Sequence, residues 1–318
     1  MKKLNYIFIT AFALNFAHAQ ISEPAWNATI TVLDETSQPV AGANVEMSFY
    51  VKTKPGEGES GGSVQGLTDT NGVVRLSHPN TGSIGVAFQA TKTGYYATTK
   101  GHEFVEFQDG DPEKWNPTMT LLLKKIGDPI AMYAKKEQAK MTKENEPVGF
   151  DLMAGNWVAP YGTGKTADIF FTVHRKITSP QEFDADLKLT FPNVGDGIAI
   201  VPPIPDTGSP LIMPHLAVET GYQSVLAWSY HNFTETSVPA SGYFIRVRTV
   251  LDSNGNVQSA LYGKIQGDVK FYVGTKAPRA GIGFQYYLNP TPNSRNVEFD
   301  RKQNLLGGLQ SFEQVATP

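Results

Sequence analysis

The chain has 318 residues, a formal net charge of −3 and no cysteine. The lack of cysteine excludes disulfides, thiol nucleophiles and cysteine-ligated zinc, and the mild acidity without a basic run argues against a nucleic-acid partner. Aromatic residues make up 11% of the chain, beside 30 glycines and 21 prolines, a mixture that favours strands joined by many turns.

The first twenty residues have the layout of a secretory signal peptide. Lys2 and Lys3 precede an apolar run, and Ala17-His-Ala19 follows it. This run is too short to span a membrane comfortably, and no later stretch reaches about 18 apolar residues, so we expect no transmembrane helix. We predict that residues 1–19 are removed and that the chain is exported, to a bacterial periplasm or to the outside. Export without cysteine suits a bacterial protein.

Residues 20–125 alternate apolar and polar side chains in the manner of β-strands. Ile30 and Val32 share one face of the first strand-like segment, and Val45 and Met47 share one face of the second. Turn residues separate such segments at short intervals, which predicts an antiparallel β-sandwich.

Two motifs in this region carry a family resemblance. They are PVAGANV at residues 39–45 and TDTNG at residues 68–72. Together they resemble the carboxypeptidase-regulatory-like domain, a prealbumin-like sandwich of secreted bacterial proteins. The resemblance covers about a third of the chain and implies a spacer, a folding aid or a binding platform. Asp69 and Asn71 could be calcium ligands, but Asn71-Gly72 suits a tight hairpin turn better.

The rest of the chain predicts a second β-domain after a change of composition. Residues 126–147 are polar, with high helix propensity and almost no apolar face, which predicts a solvated linker that can form a short helix. Within them, PIAMYA at 129–134 alternatively indicates one more extended segment. Residues 148–305 alternate again and predict an uncharacterised sandwich or jelly roll, followed by a tail at 306–318. The predicted fold class is all-β, with two antiparallel β-sandwich domains.

The stretch APYGTGKT, residues 159–166, fits a permissive phosphate-loop template. A working phosphate loop needs a helix after it, because the helix N-terminus binds the phosphate. The following residues alternate as a strand does, with Ile169 and Phe171 on one face, and Pro160 removes a backbone donor. We therefore predict a glycine-rich connection between strands and no nucleotide.

Three further patterns are ambiguous. Asp252, Asn254 and Asn256 resemble part of a calcium loop, but no Glu ligand or flanking helix follows, so a hairpin turn is the better prediction. The histidines lack the spacing of a ready metal pair, and we predict no metal and no cofactor. Carboxylates that could serve a glycan hydrolase are too numerous to single out a pair: Glu182, Asp184, Asp186, Glu219, Glu298 and Asp300.

Aromatic side chains beside polar ones are the features that most suggest a ligand. Sugar-binding sandwiches use such rings as flat apolar platforms, although one ring of each neighbouring pair in a strand is expected to pack in the core. The candidate ligand-binding residues are Trp157, Tyr161, Lys165, Trp228, Tyr230, Tyr286 and Arg295.

Two proline-containing segments are also candidates. Residues 201–222 form a long irregular stretch whose apolar side chains suggest a cover over the second domain, either a lid or a protected edge. Residues 289–300 contain Arg295, which suggests a latch between strands or a ligand loop.

The sequence thus predicts an exported non-catalytic protein that binds glycan, envelope material or a protein partner. Two alternatives stay open. One is an enzyme that acts on polysaccharide with acids of the second domain, and the other is a structural component of a surface or assembly.

Overall fold

The computed structural model describes residues 25–51, 60–79, 85–103 and 116–318. Within these ranges the regular elements are all β-strands, which confirms the predicted all-β class. The same part of the chain contains no helix that could cross a membrane. The predicted signal peptide lies outside the described residues.

The first seven strands form two sheets that face each other. One sheet has the order β4-β1-β7 and the other β3-β2-β5-β6; β1 and β7 are parallel, and the other neighbours are antiparallel. The side chains predicted to share a face, those of Ile30, Val32, Val45 and Met47, are all buried in the core between the sheets. The strands are β1 (Ala25–Asp34), β2 (Asn44–Val51), β3 (Ser60–Leu67), β4 (Val73–Pro79), β5 (Gly85–Thr91), β6 (Thr98–Glu103) and β7 (Thr118–Leu123).

Thirteen further strands in the described ranges form a second, larger sandwich: β8 (Ile130–Lys140), β9 (Val148–Asp151), β10 (Asn156–Trp157), β11 (Ile169–Ser179), β12 (Glu182–Thr190), β13 (Gly197–Val201), β14 (Val225–His231), β15 (Thr234–Thr236), β16 (Gly242–Leu251), β17 (Val257–Gln266), β18 (Lys270–Tyr272), β19 (Gly281–Leu288) and β20 (Phe299–Asn304). A six-stranded sheet has the order β10-β9-β11-β12-β14-β15. A seven-stranded sheet has the order β13-β16-β17-β19-β8-β20, with β18 also paired to β19. The β20–β8 pair is parallel.

The seven-stranded sheet is apolar on both faces. Tyr286 belongs to the core between the two sheets, whereas its neighbour Tyr287 belongs to a separate cluster on the outer face. Neighbouring side chains of a strand point to opposite faces, so Tyr286 and Tyr287 mark two apolar faces of the same sheet. The outer face must therefore be covered by another part of the chain. Part of the cover is the predicted cover segment 201–222, whose Met213 and Ala217 are buried in the outer cluster.

The polar linker predicted for residues 126–147 needs a correction. Residues 130–140 form β8, which pairs with β19 and β20 inside the seven-stranded sheet, so the extended alternative for 129–134 describes this segment and the helix does not. Its helix propensity is overridden because Met132 and Ala134 pack in the outer cluster and Lys135 forms an ion pair with Glu313, far along the chain.

The loop that resembles a calcium site is a hairpin turn, as predicted. β16 and β17 pair around it. Oδ1 of Asp252 accepts the backbone N–H of Asn254 at 2.8 Å and that of Asn256 at 2.9 Å. The Asp252 carboxylate, which a calcium ion would need as a ligand, is thus already hydrogen-bonded within the turn.

Candidate functional site

The glycine-rich stretch at residues 159–166 is organised around a carboxylate of its own domain. Oδ2 of Asp151 accepts the backbone N–H of Lys165 at 3.0 Å and that of Thr166 at 3.1 Å. No helix begins at Lys165, and the chain continues into strand β11. A phosphate would have to compete with Asp151 for these N–H groups. The geometry therefore agrees with the predicted connection between strands.

Arg248 links this stretch to the opposite sheet. Its guanidinium donates to Asp168 at 2.8 and 3.0 Å and to Asp151 at 3.0 Å. Asp151 ends β9 and Asp168 directly precedes β11, both in the six-stranded sheet, whereas Arg248 belongs to β16 of the seven-stranded sheet. The three side chains therefore fasten one sheet to the other.

Burial and hydrogen bonding act differently on the two acids of this cluster. Burial raises the pKa of Asp168 above its ordinary value although Arg248 opposes the shift. At Asp151 burial also acts to raise the pKa, but the N–H groups of Lys165, Thr166 and Ala154 lower it below its ordinary value. The Asp168 hydrogen bond raises the pKa of Arg248, which keeps the guanidinium charged. Paired in this way, the cluster is suited to holding structure.

Several residues that the sequence proposed as ligand contacts are part of the core. Trp228 and Tyr286 are at most 1% exposed and Trp157 is 9% exposed, so these rings do not form a platform at the surface. The hydroxyl of Tyr286 donates to the Leu152 carbonyl at 2.8 Å. All three rings belong to the core between the two sheets, because alternation places them on the inner faces of their strands.

The remaining candidates are within reach of solvent but do not converge. Lys165 is exposed and Tyr161 is half-buried beside the core between the sheets. Arg295 pairs with Glu219 at 2.9 Å and donates to the Ala217 carbonyl, which ties residues 289–300 to the cover segment 201–222. These contacts hold two loop segments together. Tyr230 lies elsewhere, at an open groove.

The groove, hereafter the aromatic groove, has a volume of about 610 Å³. Two edge-to-face ring pairs form much of its wall: Phe183 with Phe233, centroids 5.5 Å apart, and Tyr230 with Phe271, centroids 5.7 Å apart. Phe233 is 76% exposed, so most of its ring is open to a ligand. The residues that line the aromatic groove are Phe183, Tyr230, Asn232, Phe233, Phe271 and residues 273–277.

A tight turn between β14 and β15 presents Phe233. His231 pairs with Thr234, which leaves Asn232 and Phe233 as the two turn residues. Asn232 has a φ of 55° and is locked to β12, because its side-chain oxygen accepts the Phe183 N–H at 2.9 Å and its own N–H donates to the Phe183 carbonyl at 2.7 Å. Asn tolerates this left-handed conformation better than most residues do. The ring at the tip is therefore held in a defined position.

The opposite wall is held by a buried arginine. Arg175 donates to the carbonyls of Val273 and Gly274 at 2.8 and 3.0 Å, to that of Pro278 at 3.0 Å, and forms an ion pair with Glu144 at 2.7 Å. One side chain thereby fixes the path of the loop that follows β18. The groove is pre-shaped by hydrogen bonds from β11.

Tyr230 is the predicted candidate that lines the groove. Its hydroxyl donates to Glu235 on β15, and burial together with that carboxylate raises the pKa of Tyr230. The three phenylalanines of the groove were missed because the sequence argument considered Trp and Tyr sets only. The pattern Asn232-Phe233 between two strand-like runs was a usable signal, since Asn in a two-residue turn places the next side chain at a tip.

Several of the carboxylates considered for a hydrolase are bonded to separate partners. Asp184 lies 2.7 Å from His231, and Asp186 accepts the Ser229 hydroxyl at 2.6 Å. Glu298 is buried and hydrogen-bonded to four groups. Within the described ranges, no cluster of three or more His, Asp or Glu side chains could hold a metal ion.

Comparison with known proteins gave no family. No family model matches the chain, and no curated protein matches it. Among solved structures, 3-chlorocatechol 1,2-dioxygenase from Rhodococcus opacus 1CP is 14% identical with a TM-score of 0.26, over 33% of this chain and 61% of that one.

Two pilins are similar to a comparable degree. The shaft pilin SpaA of Lactobacillus rhamnosus GG is 12% identical with a TM-score of 0.23, over 55% of this chain and 90% of that one. BcpA, the major pilin subunit of Bacillus cereus, is 13% identical with a TM-score of 0.23, over 88% of this chain and 97% of that one. TM-scores this low carry no argument about function.

Proposed function

We propose that the chain is an exported, non-catalytic β-sandwich protein that binds carbohydrate in the aromatic groove of its second domain. The observation that carries this proposal is the lining of the groove. Four aromatic rings surround it, together with the polar side chains of Asn232, Thr275 and Lys276. Flat apolar rings can cover the faces of a sugar while amide, hydroxyl and ammonium groups bond its hydroxyls.

The chemistry of the groove favours binding over hydrolysis. Hydrolysis of a glycosidic bond ordinarily needs two carboxylates on opposite sides of the bond. The lining residues that the structure describes include no carboxylate, and the nearby Glu235 accepts the Tyr230 hydroxyl. The rings can therefore hold a sugar without the acids that would cleave it.

The first sandwich would serve as a platform, in keeping with its resemblance to carboxypeptidase-regulatory-like domains. Three contacts between the sandwiches support this role. The Thr99 N–H donates to the Gly208 carbonyl at 3.1 Å, the Lys124 ammonium donates to the Ile212 carbonyl at 3.0 Å, and the Tyr96 hydroxyl donates to Glu298. Export rests on the signal-like residues 1–19, and N-terminal sequencing of the chain from culture medium and periplasm would test it.

A glycan array with the purified chain tests the proposal, with binding constants for any hit measured by calorimetry. Phe233→Ala removes the exposed ring and is expected to weaken binding by about tenfold or more, since about 1.4 kcal/mol corresponds to a factor of ten. Phe312→Ala is the matched control, because Phe312 is 69% exposed and does not line the groove.

The outcomes separate the three functional classes. Binding that falls in Phe233→Ala and persists in Phe312→Ala supports the aromatic groove. A chain that binds no glycan overturns the proposal, and release of sugar products from a bound polysaccharide overturns its non-catalytic part in favour of the enzyme. Concentration-dependent polymers without glycan binding would instead favour the assembly component.

A further inference from the structure

Residues 313–318, hereafter the terminal segment, follow a turn that ends at Glu313 and lie against the outer face of the seven-stranded sheet. From Glu313 to Thr317 the burial alternates: Val315 is buried, Glu313 and Thr317 are half-buried, and the residues between them are exposed, while the last residue, Pro318, is buried as well. This period of two is what an extended peptide shows when one of its faces rests on a surface. The segment therefore presents three side chains to the sheet in order.

Glu313 is held at its main chain and at its side chain. Its carboxylate lies 3.0 Å from the ammonium of Lys135, which also bonds Glu137 at 2.8 Å and the Gly155 carbonyl at 2.9 Å. The N–H of Lys136 donates to the Glu313 carbonyl at 2.8 Å. The first position is thus recognised by charge and by a backbone hydrogen bond to β8.

The next two inward positions meet matching surroundings. Val315 packs in the outer apolar cluster that also contains Tyr287. The Thr317 hydroxyl lies 2.8 Å from the Tyr287 hydroxyl and accepts from the amides of Gln266 at 3.2 Å and Gln285 at 3.1 Å. An apolar socket is therefore followed by a polar one.

Lys264, on β17, makes a further contact with the terminal segment. This lysine is fully buried, and its ammonium donates to the Pro318 carbonyl at 3.0 Å. Arg301 donates to the Ala316 carbonyl at 3.2 Å from the other side. A buried amine is costly unless it is hydrogen-bonded, so the terminal segment satisfies a group that the sheet places there.

The terminal segment is joined to β20 by a short connection with few buried side chains. The connection, residues 305–312, is mostly exposed and contains Gly307-Gly308. Beside the segment lies an open pocket of about 430 Å³, lined in part by Val315 and Pro318. An element on a flexible connection that fills a specific site in its own chain can fill the same site in another copy.

We propose that this surface is a peptide-binding channel that recognises an extended Glu-x-Val-x-Thr-Pro segment as a separate ligand and accepts it from a second copy of the chain. The side chains that form the channel are Lys135, Lys264, Gln266, Gln285, Tyr287 and Arg301.

A full-length Val315→Asp variant frees the channel, because it places a charge in the apolar socket. The probe is a fluorescein-labelled peptide amide of residues 310–318, whose amide end imitates a continuing chain. Fluorescence anisotropy should show binding to this variant and at least tenfold weaker binding to the unsubstituted chain, whose channel is filled. A probe carrying the same Val315→Asp change, and a Val315→Asp chain that also carries Lys264→Met, should each bind at least tenfold more weakly than the matched pair.

The second copy is tested by mixing two full-length chains. Val315→Asp offers an open channel, and Lys264→Met offers an intact segment beside a weakened channel, so their mixture should contain a heterodimer that neither chain forms alone. Circular dichroism reports whether each variant is folded. A folded Val315→Asp chain that does not bind the probe overturns the proposal, as does unfolding of both Val315→Asp and the milder Thr317→Ala. A mixture that remains monomeric at about 100 μM, on the order of the upper end of weak specific association, overturns the exchange between copies.

Discussion

Nδ1 of His215 lies 2.7 Å from Oε2 of Glu298, in a contact that joins the cover segment 201–222 to the loop before β20. The same carboxylate accepts the Tyr96 hydroxyl at 2.5 Å and the Gly127 N–H at 3.0 Å. Glu298 therefore connects the first sandwich, the chain between the sandwiches and the second sandwich. Since it is only 1% exposed, its hydrogen bonds cannot be replaced by water without local opening.

Glu298→Gln should destabilise the chain and change its response to acid. Burial acts to raise the pKa of Glu298, but the hydrogen bonds from Tyr96, His215 and Gly127 lower it below the ordinary value of 4.5. A carboxyl whose folded pKa is lowered contributes stability that is present above the unfolded pKa and is lost as pH falls through the folded one. We expect a loss of about 2–4 kcal/mol at pH 7, because a buried charged network is broken.

Urea unfolding of both chains at pH 7 and near pH 3.5 measures this effect. The difference between wild type and Glu298→Gln should shrink at the lower pH, because the carboxyl of the unfolded chain, with its ordinary pKa of 4.5, binds a proton there more readily than the folded one does. Glu182→Gln is the matched control, because it makes the same chemical change at an exposed position of β12. Equal differences at both pH values would contradict the assigned role of Glu298.

Arg248→Met should destabilise the second sandwich by about 3–5 kcal/mol, because it leaves two buried carboxylates without their cation. Asp151 is 5% exposed and Asp168 is 2% exposed. The double variant that also carries Asp168→Asn should recover part of the loss, since one of the two buried negative charges is then removed. The amide nitrogen that Asp168→Asn introduces can replace the oxygen that bonds Arg248, while the other oxygen keeps the Leu152 N–H. Arg75→Ala, at an exposed position of the first sandwich, should change little. The urea midpoints of these three variants are compared with that of the wild type, and a double variant less stable than Arg248→Met would argue against unpaired charge as the cause.

Local patterns predicted the strands well and the long-range contacts poorly. Alternation around Ile30 and Val32 placed a core face correctly, because that pattern depends only on neighbours in sequence. It failed for β8, whose Lys135 is stabilised by Glu313, a residue that no window around position 135 contains. Of the residues that line the aromatic groove, the sequence predicted only Tyr230 as a ligand contact. Phe183 and Phe271 belong to other strands, and only the folded chain brings them beside Tyr230.

Lys264→Met should flatten the pH dependence of the chain's stability above about pH 7. Burial lowers the pKa of Lys264 from 10.5 to about 7, so between these values the unfolded chain binds the additional proton. The contribution of Lys264 to the free energy of unfolding should therefore rise as pH increases from about 7 towards 10.5, and it should change little below pH 7. Methionine has similar length without the charge, and removal of a buried charge is often neutral or stabilising. Melting temperatures between pH 6.5 and 9.5 test this, and an unchanged slope in the variant would show that another group causes it.

Two hairpin glycines should respond differently to alanine. Gly72 and Gly255 both have positive φ, 73° and 82°, so alanine at either site costs roughly 1 kcal/mol of backbone strain. A Cβ at Gly255 meets nothing within 4 Å, whereas one at Gly72 would lie 2.5 Å from the Val32 carbonyl oxygen and 3.1 Å from the Val40 nitrogen. These backbone atoms cannot move aside as a flexible side chain can, so Gly72→Ala should cost distinctly more than Gly255→Ala. Urea midpoints of the two variants measure the difference, and equal losses would mean that strain alone sets the cost at both turns.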